Sequence, residues 1–295
     1  MTWPLTAVGS LLIGAALRDI FSTLWHPRGL GTICRLLFSL VWRVLGALDG
    51  RGRLLNSAGP VAMVSTVLAW SAMMVLGWAA IYLPHMPDGF YFSTALPPTV
   101  ASEPVAALYL SLVTVATLGY GDITPAYPAL RMLIPVQALI GFVLFTAAIS
   151  WVLQIYPALS RRRAAAQRIT MMADTGVVAV LPRVEPGTAI QLLGSVTEAL
   201  TTIELDVMQY QETYFFRDAE PALSLAAALS FVPELAAAGS SSAWREVRWA
   251  ADMLDTQAER LARRLDAQYL HTGAGTREVF DAFAQDHRHR PLFHR

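Results

Sequence analysis

Residues 114–122 read Thr-Val-Ala-Thr-Leu-Gly-Tyr-Gly-Asp, with glycines at the alternate positions 119 and 121. That spacing suits one kind of chemistry. A dehydrated cation must recover its lost water contacts, and backbone carbonyls supply them only if successive C=O groups point at one axis. A regular strand alternates their direction. Aiming them alike requires φ > 0 at some positions, which glycine reaches at no steric cost. Thr117 adds a hydroxyl at one end of the run, able to accept an ion beside its own carbonyl.

Such a turn needs elements that hold it. Of the 295 residues, 55% are hydrophobic and 15% charged, against about 25% charged in an ordinary soluble domain. Residues 61–83 hold no charged side chain, and as a helix they reach about 34 Å, enough to cross a hydrocarbon core of about 30 Å. A second uncharged run covers residues 132–160. Either could be a buried helix of a large soluble protein, but two in so short a chain argue for a membrane. Between them, the uncharged residues 105–118 are too few to span and fit a re-entrant helix. Ser102, Glu103 and Pro104 supply its N-terminal signals. The C-terminal end of such a helix is partly negative and favours a cation beyond it.

Helix, re-entrant turn and helix around T-x-x-T-x-G-Y-G-D resemble the pore of a potassium channel, whose carbonyls replace the hydration shell of the ion. The resemblance implies an all-α membrane protein, a tetrameric pore-loop channel with an outer helix at 60–83, a pore helix at 103–116, a filter at 117–122 and an inner helix at 131–158. It implies a filter of Thr117, Leu118, Gly119, Tyr120 and Gly121, with K+ held at Thr117, Leu118, Gly119 and Tyr120. It also implies that Tyr120 packs behind the filter, and that Asp122 and Thr114 support it. One chain carries one such turn, and one turn cannot surround an ion, so four copies of the chain are expected. Leu118 stands where the family has Val, and a γ-branched side chain packs differently behind the filter. A weakly selective monovalent cation channel is therefore the alternative.

Within the second run, Gly141 stands where the family often carries a hinge glycine; close helix packing is the other use of such a residue. Thr146, Ser150 and Gln154 share one helix side by their four-residue spacing and are candidates to line a water-filled cavity. Bonding to their own helix is the alternative for the hydroxyls.

Arginines orient the unit, because basic side chains flanking spans stay cytoplasmic. Arg28, Arg35, Arg43, Arg51 and Arg53 precede the first run and Arg161, Arg162, Arg163 and Arg168 follow the second, whereas residues 84–104 carry only Asp88 and Glu103. The expected location is the cell membrane, with the turn outside and the C-terminus cytoplasmic. Residues 5–25, apolar except for Arg18 and Asp19, are expected to form a further span, with an interfacial or buried helix as the alternative. Residues 31–48 carry an apolar stripe of Ile33, Leu36, Leu37, Leu40, Val41, Val44, Leu45 and Leu48, bracketed by Gly29, Gly31, Gly50 and Gly52. This predicts an amphipathic helix on the inner leaflet. Residues 1–59 thus precede the pore domain at 60–158.

Residues 159–295 turn to a mixed composition and form a mostly helical cytoplasmic domain. Helices are expected over 188–216 (with Ile190, Leu193, Val196, Leu200, Ile203 and Val207 on one side), 221–237 and 243–270, separated at Gly239 to Ser242. The only strand-like stretch is 176–184. A solvated, disordered tail is expected around His287, His289 and His294; a metal or acidic-lipid site there is the alternative. No phosphate loop, nucleophile motif or metalloprotease motif points to an enzyme, and Gly273-Ala274-Gly275 lacks the context of a dinucleotide site. No organic cofactor is expected, though an unknown cytoplasmic ligand sensed by this domain stays open. Net charge is zero and the 22 basic residues are all arginine, which gives no case for nucleic acid. Cys34, the single cysteine, excludes an intrachain disulfide.

Overall fold

The computed structural model describes residues 2–25, 29–48, 53–93 and 103–292. In order come α1 (Thr2–Leu24), α2 (Thr32–Leu48), α3 (Ala58–Tyr82), a short strand β1 (Phe90–Phe92), α4 (Glu103–Val115), β2 (Ile123–Pro125), α5 (Pro128–Asp174), α6 (Val177–Val180), α7 (Pro186–Gln209), α8 (Leu225–Ala228), α9 (Val232–Ser240), α10 (Arg245–Leu265) and α11 (Thr276–Asp286). Arg28, Gly50, Arg51, Gly52, Ser102 and His294, all singled out above, lie outside the described residues. The chain divides into two compact units, Met1–Leu37 with Met63–Leu153 and Phe38–Ala62 with Gln154–Arg295.

Among the described residues, three helices are long and apolar enough to cross a membrane: Trp3–Leu24, Leu54–His85 and Pro128–Asp174. In the first unit, α1 and α3 approach at Gly9 and Gly77, where a Cβ on either would overlap atoms of the opposite helix. Absent side chains let backbones pack closely, a main source of attraction between helices in lipid. Asp19 is 4% exposed. Its carboxylate accepts the Ile33 and Cys34 backbone N–H groups (2.8 and 3.2 Å) and the Trp70 indole N–H (2.9 Å). It thus satisfies the open first turn of α2 and ties it to α3. Gly31 has no room for a Cβ because the Asp19 carboxylate occupies it. Trp70 in turn packs on Trp151 of α5, ring centroids 5.5 Å apart. β1 and β2 pair antiparallel, Phe90 opposite Pro125 and Phe92 opposite Ile123.

The second unit is built on α7 and α10. Ala189, Leu193, Val196, Leu200, Ile203 and Val207 are the buried face of α7, and Val247, Ala251, Leu254, Ala258, Leu261 and Leu265 lie on that of α10. Ala189 takes the place expected of Ile190, which is exposed. Gly239 and Ser240 lie within α9 and do not separate helices, because Gly239 lets α9 close on Ala251 and Leu193.

Two further expectations, the strand at 176–184 and the loose tail, are corrected. The stretch 176–184 is not a strand: Gly176, at φ 66°, ends the preceding helix, and α6 with a 3-10 turn at Leu181–Arg183 follows. α2 buries Cys34, Phe38 and Trp42, off the expected stripe, and leaves Leu36, Leu40, Val44 and Leu48 of that stripe exposed. The tail is ordered as far as it is described, with α11 burying Val279, Phe280, Phe283 and Ala284.

Arg161, Arg162 and Arg163, read above as basic residues following the second apolar run, lie inside α5. Arg161 pairs with Asp206 (2.6 Å), while Arg162 and Arg163 share Asp218 (3.1 and 2.6 Å). Arg162 is buried and also donates to the carbonyls of Thr213 and Phe216. These partners explain why the helix continues past the apolar run.

His287 is 2% exposed and sits among the rings of Trp42, Tyr214 and Phe283, with centroids 4.9, 4.9 and 4.4 Å away. Its Nε2 lies 2.8 Å from the Tyr214 carbonyl and its Nδ1 3.1 Å from that of Phe283. Burial pushes the pKa of His287 well below its ordinary value, and burial lowers that of His289 as well. In this direction the unfolded chain takes up the protons first. The stability both residues confer is fully present above about pH 6.5 and is lost as pH falls below it. Denaturant unfolding followed by tryptophan fluorescence should show stability declining from pH 7 to pH 5, with a shallower decline in His287→Gln.

Candidate functional site

The turn at residues 117–121 is launched by α4. This helix buries Ala106, Ala107, Leu110, Ser111, Val113 and Thr114, and carries Glu103 in its first turn, where an acid suits the helix dipole. At its C-terminal end the Thr117 N–H donates to the Thr114 carbonyl (3.0 Å) and the Leu118 N–H to that of Val113 (2.9 Å). The side chain of Thr114 serves its own helix, its hydroxyl donating to the Leu110 carbonyl at 2.7 Å.

Beyond this anchor the sign of φ reverses at every residue. Thr117, Gly119 and Gly121 have φ of 58°, 58° and 77°, and Leu118 and Tyr120 between them stay at negative φ. Alternation of this kind is what turns successive carbonyls toward one side. No atom lies within 4 Å of a Cβ built on Gly119 or Gly121, so conformation and not crowding calls for glycine there. Thr117 was expected in this turn, but its positive φ was not legible in the sequence. A β-branched residue at positive φ costs on the order of 1–3 kcal/mol and persists only where its surroundings hold it.

The far end is fixed by Asp122. Its Oδ2 accepts the Tyr109 hydroxyl of α4 at 2.6 Å, its Oδ1 accepts the Ile123 N–H at 3.0 Å, and its carbonyl accepts the Ser93 N–H at 2.8 Å. Tyr109 also escaped the sequence reading; its position within the uncharged run 105–118 gave no sign that it faces Asp122. Leu118 is 58% exposed and Tyr120 66% exposed, so a single chain does not cover the outer side of the turn.

The remaining candidates lie on α5. Gly141 is in an unbroken stretch of this helix, and a Cβ there would overlap the Val115 carbonyl oxygen. Close packing against the end of α4 is thus a sufficient reason for this glycine. Thr146, Ser150 and Gln154 are exposed, and the Thr146 hydroxyl donates to the Phe142 carbonyl of its own helix (2.6 Å).

Two substitutions separate conformation from packing. Gly121→Ala meets no atom, yet forces an L side chain to φ 77°, at a cost of about 1–2 kcal/mol; ion flux should fall while helical content by circular dichroism stays. Gly141→Ala must push against the Val115 backbone and should destabilise the protein by about 1–3 kcal/mol in denaturant unfolding. Gly14→Ala, with open space around it, should be neutral in both assays.

Comparison with known proteins bears on the same region. Residues 67–156 match the family model described as ion channel. An uncharacterized membrane protein, YdjJ, of Bacillus subtilis is 26% identical over 175 residues, 57% of this chain and 49% of that protein. Two pore potassium channel c of Oryza sativa subsp. japonica is 40% identical over 94 residues, 30% of this chain and 18% of that protein. Protein LctB of Geobacillus stearothermophilus is 32% identical over 82 residues, 26% of this chain and 60% of that protein. The match therefore spans 60% or less of the length of each of these relatives. No solved structure matches. The helix, turn and helix of residues 67–156 are thus similar to those that the ion-channel model describes.

Proposed function

We propose that this chain forms a potassium-selective channel, conducting K+ passively through a path lined by the carbonyls of residues 117–121. The observation that carries this is the reversal of φ at each residue from Thr117 to Gly121, set between helices long and apolar enough to span a membrane. Similarity to the ion-channel model and to a protein named as a potassium channel supports it. In this proposal K+ sits at Thr117, Leu118, Gly119 and Tyr120, and Asp122, held by Tyr109, closes the outer end.

The pore requires four copies. One turn offers carbonyls to one side of an ion only, and the exposed Leu118 and Tyr120 side chains would be covered by neighbouring copies. The distribution of arginines supports a turn outside and residues 159–295 in the cytoplasm, where the helical unit would assemble or gate the pore. α2, with Leu36, Leu40, Val44 and Leu48 exposed and no acidic residue, suits the inner membrane surface.

A weakly selective cation pore is the second reading, favoured by one observation: Leu118 replaces the family's Val and has little packing within its own chain. Planar-bilayer recording separates the two. With potassium on one side and sodium on the other, a reversal potential near that of potassium is expected, and one near zero would support the weakly selective pore. Absence of current in every ionic condition, with tetramers present, would sink both.

A further inference from the structure

We propose that Gln137 is a positioning residue for ion selection: through Ser111 and Tyr82 it sets the place of α4, and with it the conducting turn. This rests on the pore function proposed above, and concerns a side chain far from the glycine-rich motif.

Gln137 lies on α5 and is fully buried. Its Nε2 donates to both the backbone carbonyl and the hydroxyl oxygen of Ser111 on α4, each at 3.0 Å. Its Oε1 accepts the hydroxyl of Tyr82 on α3 at 2.6 Å. The Ser111 hydroxyl in turn donates to the Val75 carbonyl of α3 at 2.7 Å. Three helices are thus joined by one directional chain in which each side-chain donor has an acceptor.

Two physical points give the chain its importance. In lipid there is no water to replace a lost partner, so each member left alone stays unpaired. Packing alone would bring these apolar helices together without fixing their register, whereas hydrogen bonds specify it.

The contact also lies where register matters. Gln137 meets Ser111, and Gly141, one turn further along α5, meets Val115, one turn further along α4. Val115 ends α4, and Thr117, the first residue at positive φ, follows two positions later. A shift of α4 along α5 would therefore displace the first carbonyls of the turn. Discrimination between K+ and a smaller ion depends on how those carbonyls surround it.

The test uses full-length protein in liposomes, with uptake of rubidium and of sodium measured separately and assembly checked by size-exclusion chromatography. Gln137→Met keeps the length of the side chain and removes its hydrogen bonds. Tyr82→Phe removes one hydroxyl and keeps the ring against Phe90, so it tests the chain with little risk to folding. Ser71→Ala is the control, because the Ser71 hydroxyl bonds only the Val67 carbonyl of its own helix at 2.9 Å.

The rubidium-to-sodium ratio should fall about tenfold in Gln137→Met, the equilibrium equivalent of one unpaired buried group, and less in Tyr82→Phe, while Ser71→Ala keeps the wild-type ratio. An unchanged ratio in assembled Gln137→Met and Tyr82→Phe overturns the proposal. So does a loss of both fluxes in equal proportion, which would mark a merely structural role. Wild-type liposomes that take up no more rubidium than empty ones overturn the pore function itself, and this inference with it.

Discussion

A backbone whose φ changes sign at five successive residues is a poor conformation for an isolated chain, and the membrane unit is organised around holding it. Gly119 and Gly121 adopt positive φ freely, but Thr117 does not. The strain is offset at both ends. Val113 and Thr114 lend carbonyls to the N–H groups of Leu118 and Thr117, and Tyr109 grips Asp122 beyond the last glycine. One rigid helix, α4, thus clamps the turn from its start and from its finish. This is how a short run of backbone can keep carbonyls in place without a sheet partner.

The helices around α4 use two devices suited to a medium without water. The first is the missing side chain: Gly9 with Gly77, and Gly141 with the Val115 carbonyl, bring backbones into direct contact. The second is the fully partnered polar group. Asp19 collects three N–H donors from α2 and α3, and Gln137 joins α3, α4 and α5. A buried carboxylate or amide costs several kcal/mol if left alone; satisfied in this way it fixes which residues meet. Apolar surface drives insertion, and these few polar contacts give the unit one arrangement.

The second unit follows the logic of a soluble helical domain. α7 and α10 bury regular apolar faces, and the buried Arg162 is paired with Asp218, which Arg163 shares. His287 is the exception that gives the unit its pH dependence. It is buried among aromatic rings, and that burial favours the neutral ring even though a carbonyl faces each ring nitrogen.

What could be read from the residues in order was whatever depends on local pattern. Uncharged runs of membrane length, the T-x-x-T-x-G-Y-G-D string and the alternate glycines are visible without a fold, because length, hydropathy and permitted φ are properties of short segments. The helical period of α7 was legible for the same reason, to within the exchange of Ile190 for Ala189. Partnerships were not legible. Asp19 read as an interruption in an apolar run, Gln137 went unremarked, Arg161 to Arg163 read as charges flanking a span, and His287 read as part of a loose tail. Each is decided by a group distant in the chain: Trp70 for Asp19, Ser111 and Tyr82 for Gln137, Asp206 and Asp218 for the arginines, Tyr214 for His287. A polar side chain carries no local mark of whether water or protein will satisfy it, and only the tertiary structure supplies that partner.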